Sequence, residues 1–219
     1  MSMKKLFGSL TAAGLAFGLA GQANADLFIN EVIGSTTGAD AEFIEIYNSG
    51  PTAVDLSGYQ ILEIESDSGA SQGTVDDTFE IASGTIAAGG YFLIGNATFT
   101  AGYGITPDLE LNISIENSSY TLLLQDDSAT TLYSAFVTDG GAGDAAQGGV
   151  APDISVGPDG TFLPAGFGLS GDGGSTAYLL EFSPVPAPSA TPGAANIPEP
   201  ASLALVGLGG LAMLSRRRK

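Results

Sequence analysis

Between residue 6 and residue 215 the chain contains no lysine, arginine or histidine. All six basic residues sit at the two ends: Lys4 and Lys5 near the start, Arg216, Arg217, Arg218 and Lys219 at the finish. All 24 acidic residues fall between Asp26 and Glu199. Whatever this interior folds into must therefore do so without an internal salt bridge. It also lacks cysteine, so no disulfide braces it and its stability has to come from packing. Its supply of Val, Ile, Leu and Phe separates it from solvated acidic tails, and roughly 170 residues suffice for one domain with a buried core. Salt or divalent cations relieve the self-repulsion of such a body.

The same charge pattern removes whole classes of function. Nucleic-acid binding relies on cations that displace phosphate counterions, and the body has none. An anionic membrane surface is excluded on the same ground. Serine or threonine nucleophiles lack a His or Lys base, and zinc lacks its His and Cys ligands. What remains is carboxylate chemistry. Glycoside hydrolysis takes two carboxyls at a set separation across a cleft, and the available pairs are Glu42 with Glu45, Glu63 with Glu65, and Asp126 with Asp127. Glu63 and Glu65, two apart on a strand, read best as a solvated sheet face, and the chain reads as a non-enzyme.

The ends read as addresses. Lys4 and Lys5 precede an apolar region, Leu6–Ala20, and Ala23-Asn24-Ala25 has the small-x-small form of a signal-peptidase site, so the mature chain is expected to begin at Asp26. At the other end, Pro198-Glu199-Pro200 is followed by an apolar run, Ala201–Leu214, and the Arg216–Lys219 block. As a helix that run reaches roughly 21 Å, short of the ~30 Å hydrocarbon core, with the basic cluster extending it. Cations directly after it would stay cytoplasmic and leave the body outside. This order of motif, short helix and basic block resembles the PEP-CTERM sorting signal of Gram-negative bacteria. The resemblance implies transient membrane insertion, recognition by an exosortase, cleavage near Pro198-Glu199-Pro200, and delivery to the cell envelope, cell surface or extracellular matrix. Proteins of that class are associated with exopolysaccharide and biofilm.

From Asp26 onward, short strands alternate with turns. Leu27–Ile33, Glu42–Asn48, Tyr59–Glu65, Thr78–Ile81, Tyr91–Asn96, Tyr120–Gln125, Thr131–Thr138 and Ala177–Phe182 carry strand composition between Gly, Pro, Ser and Asp clusters. Leu109–Glu116 shows the cleanest alternation, with Leu109, Leu111, Ile113 and Ile115 on one face, and predicts a strand with one wet side. Gly/Asp-rich Asp139–Gly174 interrupts the pattern as a long insert, and 183–197 reads as an extended proline-rich linker. About nine strands without crossover helices predict an all-β antiparallel sandwich. Leu27-Phe-Ile-Asn-Glu-Val32, Glu42-Phe-Ile-Glu-Ile-Tyr-Asn48, Val54-Asp-Leu-Ser-Gly-Tyr59 and Ile86-Ala-Ala-Gly-Gly-Tyr-Phe-Leu-Ile94 resemble successive strands of the lamin-tail domain, and Ala190–Asn196 is similar to the way bacterial copies end. That resemblance implies an immunoglobulin-like sandwich over 26–182, usually an accessory or adhesive module.

Gly166-Phe-Gly-Leu-Ser-Gly171 has G-x-G-x-x-G spacing, but further glycine follows where a nucleotide site needs a helix start, so it reads as loop. Calcium is the ligand that charge favours: Asp139, Asp144, Asp153, Asp159 and Asp172 sit among glycines in one loop region, although aspartate is also an ordinary turn residue. No other cofactor is expected. The expected function is an exported, non-enzymatic adhesion or structural module of an exopolysaccharide matrix. The competing reading is a carbohydrate-binding or carboxylate-dependent glycan-active protein.

Overall fold

The computed structural model describes residues 26–37 and 40–196. Signal-peptide residues Ala23 and Ala25, the sorting motif Pro198-Glu199-Pro200, the apolar run 201–214 and the basic block Arg216–Lys219 lie outside the described residues. Among the described residues no helix is long and apolar enough to cross a membrane.

In chain order the strands are β1 (Leu27–Ile33), β2 (Phe43–Asn48), β3 (Val54–Asp55), β4 (Tyr59–Glu65), β5 (Val75–Ile81), β6 (Thr85–Ile86) and β7 (Tyr91–Gly95). A one-turn helix α1 (Phe99–Tyr103) follows, then β8 (Leu109–Glu110), β9 (Tyr120–Gln125), β10 (Thr131–Val137), β11 (Ile154–Val156), β12 (Gly166–Leu169) and β13 (Ala177–Leu180). A six-stranded sheet runs β13-β12-β1-β2-β7-β8, and a five-stranded sheet runs β11-β10-β9-β4-β5. Central pairings are antiparallel, but the edge pairs β7–β8 and β10–β11 are parallel, so both sheets are mixed. This is an immunoglobulin-like β-sandwich.

Alternation along the strands builds the core. Ile29, Val32, Ile44, Ile46, Phe92 and Ile94 from one sheet meet Ile61, Phe79, Ile81, Leu122, Leu124 and Val137 from the other. Each fully buried aliphatic side chain contributes about 1.5–3 kcal/mol, which must suffice where disulfides are absent. The six-stranded sheet is buried on its outer face too. There Ile33, Phe43 and Leu93 pack under Phe99 of α1 and under Leu180 and Ala187. Phe43 makes edge contacts with Phe99 and Tyr103 at 5.4 and 5.3 Å, a favourable aromatic geometry.

Three stretches depart from the sequence reading. The Gly/Asp-rich stretch 139–174 is not a structureless insert, because it holds β11 and β12, and β12 lies between β1 and β13 inside the larger sheet. The G-x-G pattern belongs to that strand: a Cβ on Gly166 would lie 1.9 Å from the Val32 carbonyl oxygen, and one on Gly168 would strike the Tyr178 ring at 2.4 Å. Those glycines permit close strand approach. Second, Leu109–Glu116 keeps its alternation only in burial. Ile113 and Ile115 are buried, yet strand pairing stops at Glu110. Third, the proline-rich segment is no free linker. Ala187 and Asn196 are buried against the sandwich.

Candidate functional site

The two segments that lack strand partners are held by buried carboxylates. On the outer face of the larger sheet, Glu31 of β1 accepts the Thr191 N–H at 3.0 Å, and Glu45 of β2 accepts the Gly193 N–H at 2.6 Å. Asp172 accepts the Asn196 N–H at 2.9 Å and the Tyr91 hydroxyl at 2.6 Å. A β-bulge between Ile29 and Glu31 leaves Asn30 without a register partner. Such bulges re-aim side chains, and the Asn30 amide donates to Glu45 at 2.8 Å and to Asp172 at 3.2 Å. Asn196 completes the set by donating to the carbonyls of Asn30 and Leu169, both at 3.0 Å. Residues 187–196 thus form a strap across the sheet, immediately before the sorting motif.

The second set lies at the seam between the sheets. Glu42, just ahead of β2, accepts the Ile115 N–H at 3.1 Å, and Glu63 of β4 accepts the Glu116 N–H at 2.8 Å. One acceptor comes from each sheet, so the 111–116 segment is fastened to both.

None of these carboxyls has a cation beside it. Burial pushes Glu31, Glu42 and Glu63 up to about 8, opposed by the N–H bonds each accepts. Burial pushes Glu45 to about 7, with the Asn30 amide and Gly193 N–H opposing. Glu116 rises to about 7, again mainly through burial. Desolvation disfavours the charged form, so a substantial neutral fraction persists at neutral pH. The members of each carboxyl pair hold different segments: Glu42 the seam and Glu45 the strap, Glu63 the Glu116 N–H and Glu65 the Asp67 N–H. Glu63 is 1% exposed, which overturns the solvated-face reading, because it shares a strand face with Ile61 of the core. Asp126 caps the β9–β10 turn, accepting the N–H groups of Ser128 and Thr130.

The five aspartates singled out for calcium do not converge. Asp139 and Asp144 meet, but their third partner is Asp67, which the sequence did not single out; one oxygen from each lies within 4.8 Å of the others. Asp144 accepts the Ser119 hydroxyl at 2.7 Å and the Ser68 N–H at 3.2 Å, and the Ser119 bond holds it below the usual carboxylate range. Asp153 accepts the Ser134 N–H beside β11, Asp159 pairs with Phe162 in a tight turn, and Asp172 serves the strap. The sheets carry these residues to separate parts of the surface. A further acidic group, Glu65, Asp76 and Glu116, gathers beside the seam.

The described residues thus form a β-sandwich whose buried carboxyls accept hydrogen bonds from its own main chain. The family model for the Lamin Tail Domain matches residues 20–151, more than half of the chain, and the chain belongs to that family. The match ends before β11, so the last three strands and the strap extend beyond it. The PEP-CTERM protein-sorting motif matches residues 196–219, directly after the strap. It marks an exosortase-processed protein exported to the cell envelope or surface of a Gram-negative bacterium. Both matched types are non-catalytic. No curated protein matches the chain.

Proposed function

We propose that the mature chain runs from Asp26 to the strap, as one sandwich domain released after signal-peptidase cleavage behind Ala25 and exosortase cleavage near Pro198-Glu199-Pro200. It works as a non-enzymatic adhesion or structural module within an exopolysaccharide matrix. The observation that carries this reading is the union of a sorting motif with a β-module whose buried acids are committed to holding its own backbone. Arg216, Arg217, Arg218 and Lys219 act as the membrane stop during processing and are absent from the delivered form. Fractionation of native cells with an antibody to the sandwich tests the reading. It is expected to place the protein at the surface or in the matrix, with a mass lacking both ends. A cytoplasmic protein of full mass would refute it.

Calcium enters this proposal in reduced form, at Asp67, Asp139 and Asp144 alone. Millimolar calcium is then expected to raise the melting temperature beyond matched magnesium or ionic strength, and Asp144→Asn to remove the difference. Equal shifts for all three additions would dismiss the ion.

A further inference from the structure

At the end of the sandwich where β1, β4 and β10 begin lies a groove of about 690 Å³, within the range of small-ligand sites. Phe28, Tyr59 and Tyr133 line it, together with Asp26 and Asp153. Its construction is specific. Phe28 comes from the larger sheet, Tyr59 and Tyr133 from the smaller one, and the Phe28 and Tyr133 rings meet edge-on at 5.5 Å and 61°. β10 bulges between Thr131 and Tyr133, which sets the lining pair Leu132 and Tyr133 out of regular alternation. The β12–β13 turn closes one side: Gly173, at φ +65°, lies so near Phe28 that a Cβ would sit 3.1 Å from the ring. Asp153 is fixed by the Ser134 N–H at 2.8 Å and returns its own N–H to the Ser134 carbonyl at 2.9 Å.

Asp26 and Asp153 are the charged side chains of the lining. Partial burial raises the Tyr59 hydroxyl above its ordinary value, with Asp126, Asp127 and Asp55 adding to it, and burial raises Tyr133 with Asp153 adding. No Lys, Arg or His lies between residues 6 and 215, so the one cation that processing brings to the groove is the α-amino group exposed at Asp26, and Asp153 keeps its charge. Aromatic surface accepts the C–H face of a ring and the face of a cation. Carboxylates accept hydroxyl and ammonium donors. An anionic sugar is repelled by Asp153, and a neutral one leaves that acid without a positive partner. A lysine side chain matches the charge but offers a flexible stem where the aromatics suit a ring.

We propose that this groove binds a glycan bearing free amino groups, with a sugar ring against Phe28 and Tyr59 and an ammonium group paired with Asp153. The inference rests on the matrix reading above and names the chemical class of polysaccharide involved.

Calorimetry with the full chain in detergent at pH 6 and low salt tests it, using the β-1,4-linked glucosamine trimer as probe, with the N-acetylated trimer and trilysine as comparators. The glucosamine trimer is expected to bind about ten-fold more tightly than either comparator, the ratio that one contact of about 1.4 kcal/mol produces. Binding should weaken at 0.5 M salt, as screening requires. Tyr59→Ala and Asp153→Asn should each cost about ten-fold while the melting temperature stays near that of the parent. Asn keeps an acceptor for Ser134, so a folded Asp153→Asn variant is available even if Tyr59→Ala is not. Equal binding of the acetylated trimer would overturn the ammonium assignment and leave the matrix reading standing. Equal binding of trilysine would replace the glycan with a cationic peptide. No binding of either trimer would reject the groove as a glycan site, whatever fractionation shows about location.

Discussion

The strap at 187–196 and the seam segment at 111–116 solve one problem with different chemistry. Each is an extended piece of chain laid on the sandwich without a neighbouring strand, and each needs acceptors for its N–H groups, since an unpaired buried donor is costly. At the seam the acceptors are Glu42 and Glu63, which face main-chain N–H groups and each other's charge. At the strap, Glu45 and Asp172 share the neutral side-chain amide of Asn30, Glu31 accepts from Thr191, and the Asn196 amide ties the carbonyls of Asn30 and Leu169. Burial raises Glu45 and Glu63 alike; the Asn30 amide and the Gly193 N–H oppose it at Glu45, and the Glu116 N–H opposes it at Glu63. In a body without cations, side-chain amides and main-chain N–H groups do part of what lysine or arginine would do elsewhere; the strap uses both and the seam the main chain.

The largest expected effect concerns both regions together. Glu31, Glu42, Glu45 and Glu63 have folded-state values above the 4.5 of the free group. Between pH 4.5 and about 8 the folded chain therefore binds more protons than the unfolded one, and stability falls as pH rises through that window. Denaturant unfolding is expected to show a loss on the order of 10 kcal/mol from pH 5 to pH 9. Stability that rises over this range would break the account.

Next in size is Glu63→Ala, which leaves the Glu116 N–H without its acceptor and opens space beside Tyr120; a loss of about 2–4 kcal/mol at pH 5 is expected. Glu63→Gln retains the acceptor and removes the ionisable proton. It should match the parent at pH 5 and exceed it at pH 8.5 by about 1–2 kcal/mol. Glu45→Gln sharpens the contrast, because Glu45 accepts from both the Asn30 amide and the Gly193 N–H, and one amide oxygen cannot serve both. That variant is expected to lose about 1–2 kcal/mol even at pH 5, with amide exchange quickened at residues 191–196. If both glutamines behave alike, the two regions are not distinct. The smallest effect is expected for Asn196→Ala, a loss of about 1 kcal/mol read as faster proteolysis within the strap.

Much of the sandwich was legible because period-two burial is a local property of sequence. β1, β2, β4, β7, β9 and β10 follow from alternation and turn residues. Leu109–Glu116 shows the limit: its apolar positions are buried as the alternation requires, but alternation says nothing about hydrogen-bond partners, and those come from Glu42 and Glu63, 73 and 53 residues away. β12 was hidden because the glycines that let it approach β1 and Tyr178 look like loop. The acidic clamps were hidden in part. Asn30-Glu31 interrupts the apolar run Leu27–Ile33, the one local sign that a polar pair is buried there, whereas Asp67 joins Asp139 and Asp144 only through the fold. Length and proline content made 183–197 read as a linker, since its anchors lie on β1 and β2, roughly the whole domain away in sequence.

The most direct test is a carbon-13 NMR titration of the glutamate side-chain carboxyls in the folded chain. Glu31, Glu42 and Glu63 are expected to titrate near 8 and Glu45 near 7, well above the 4.5 of the free group. All four titrating near 4.5 would contradict it, and would mean that these carboxyls are neither buried nor holding the strap and the seam.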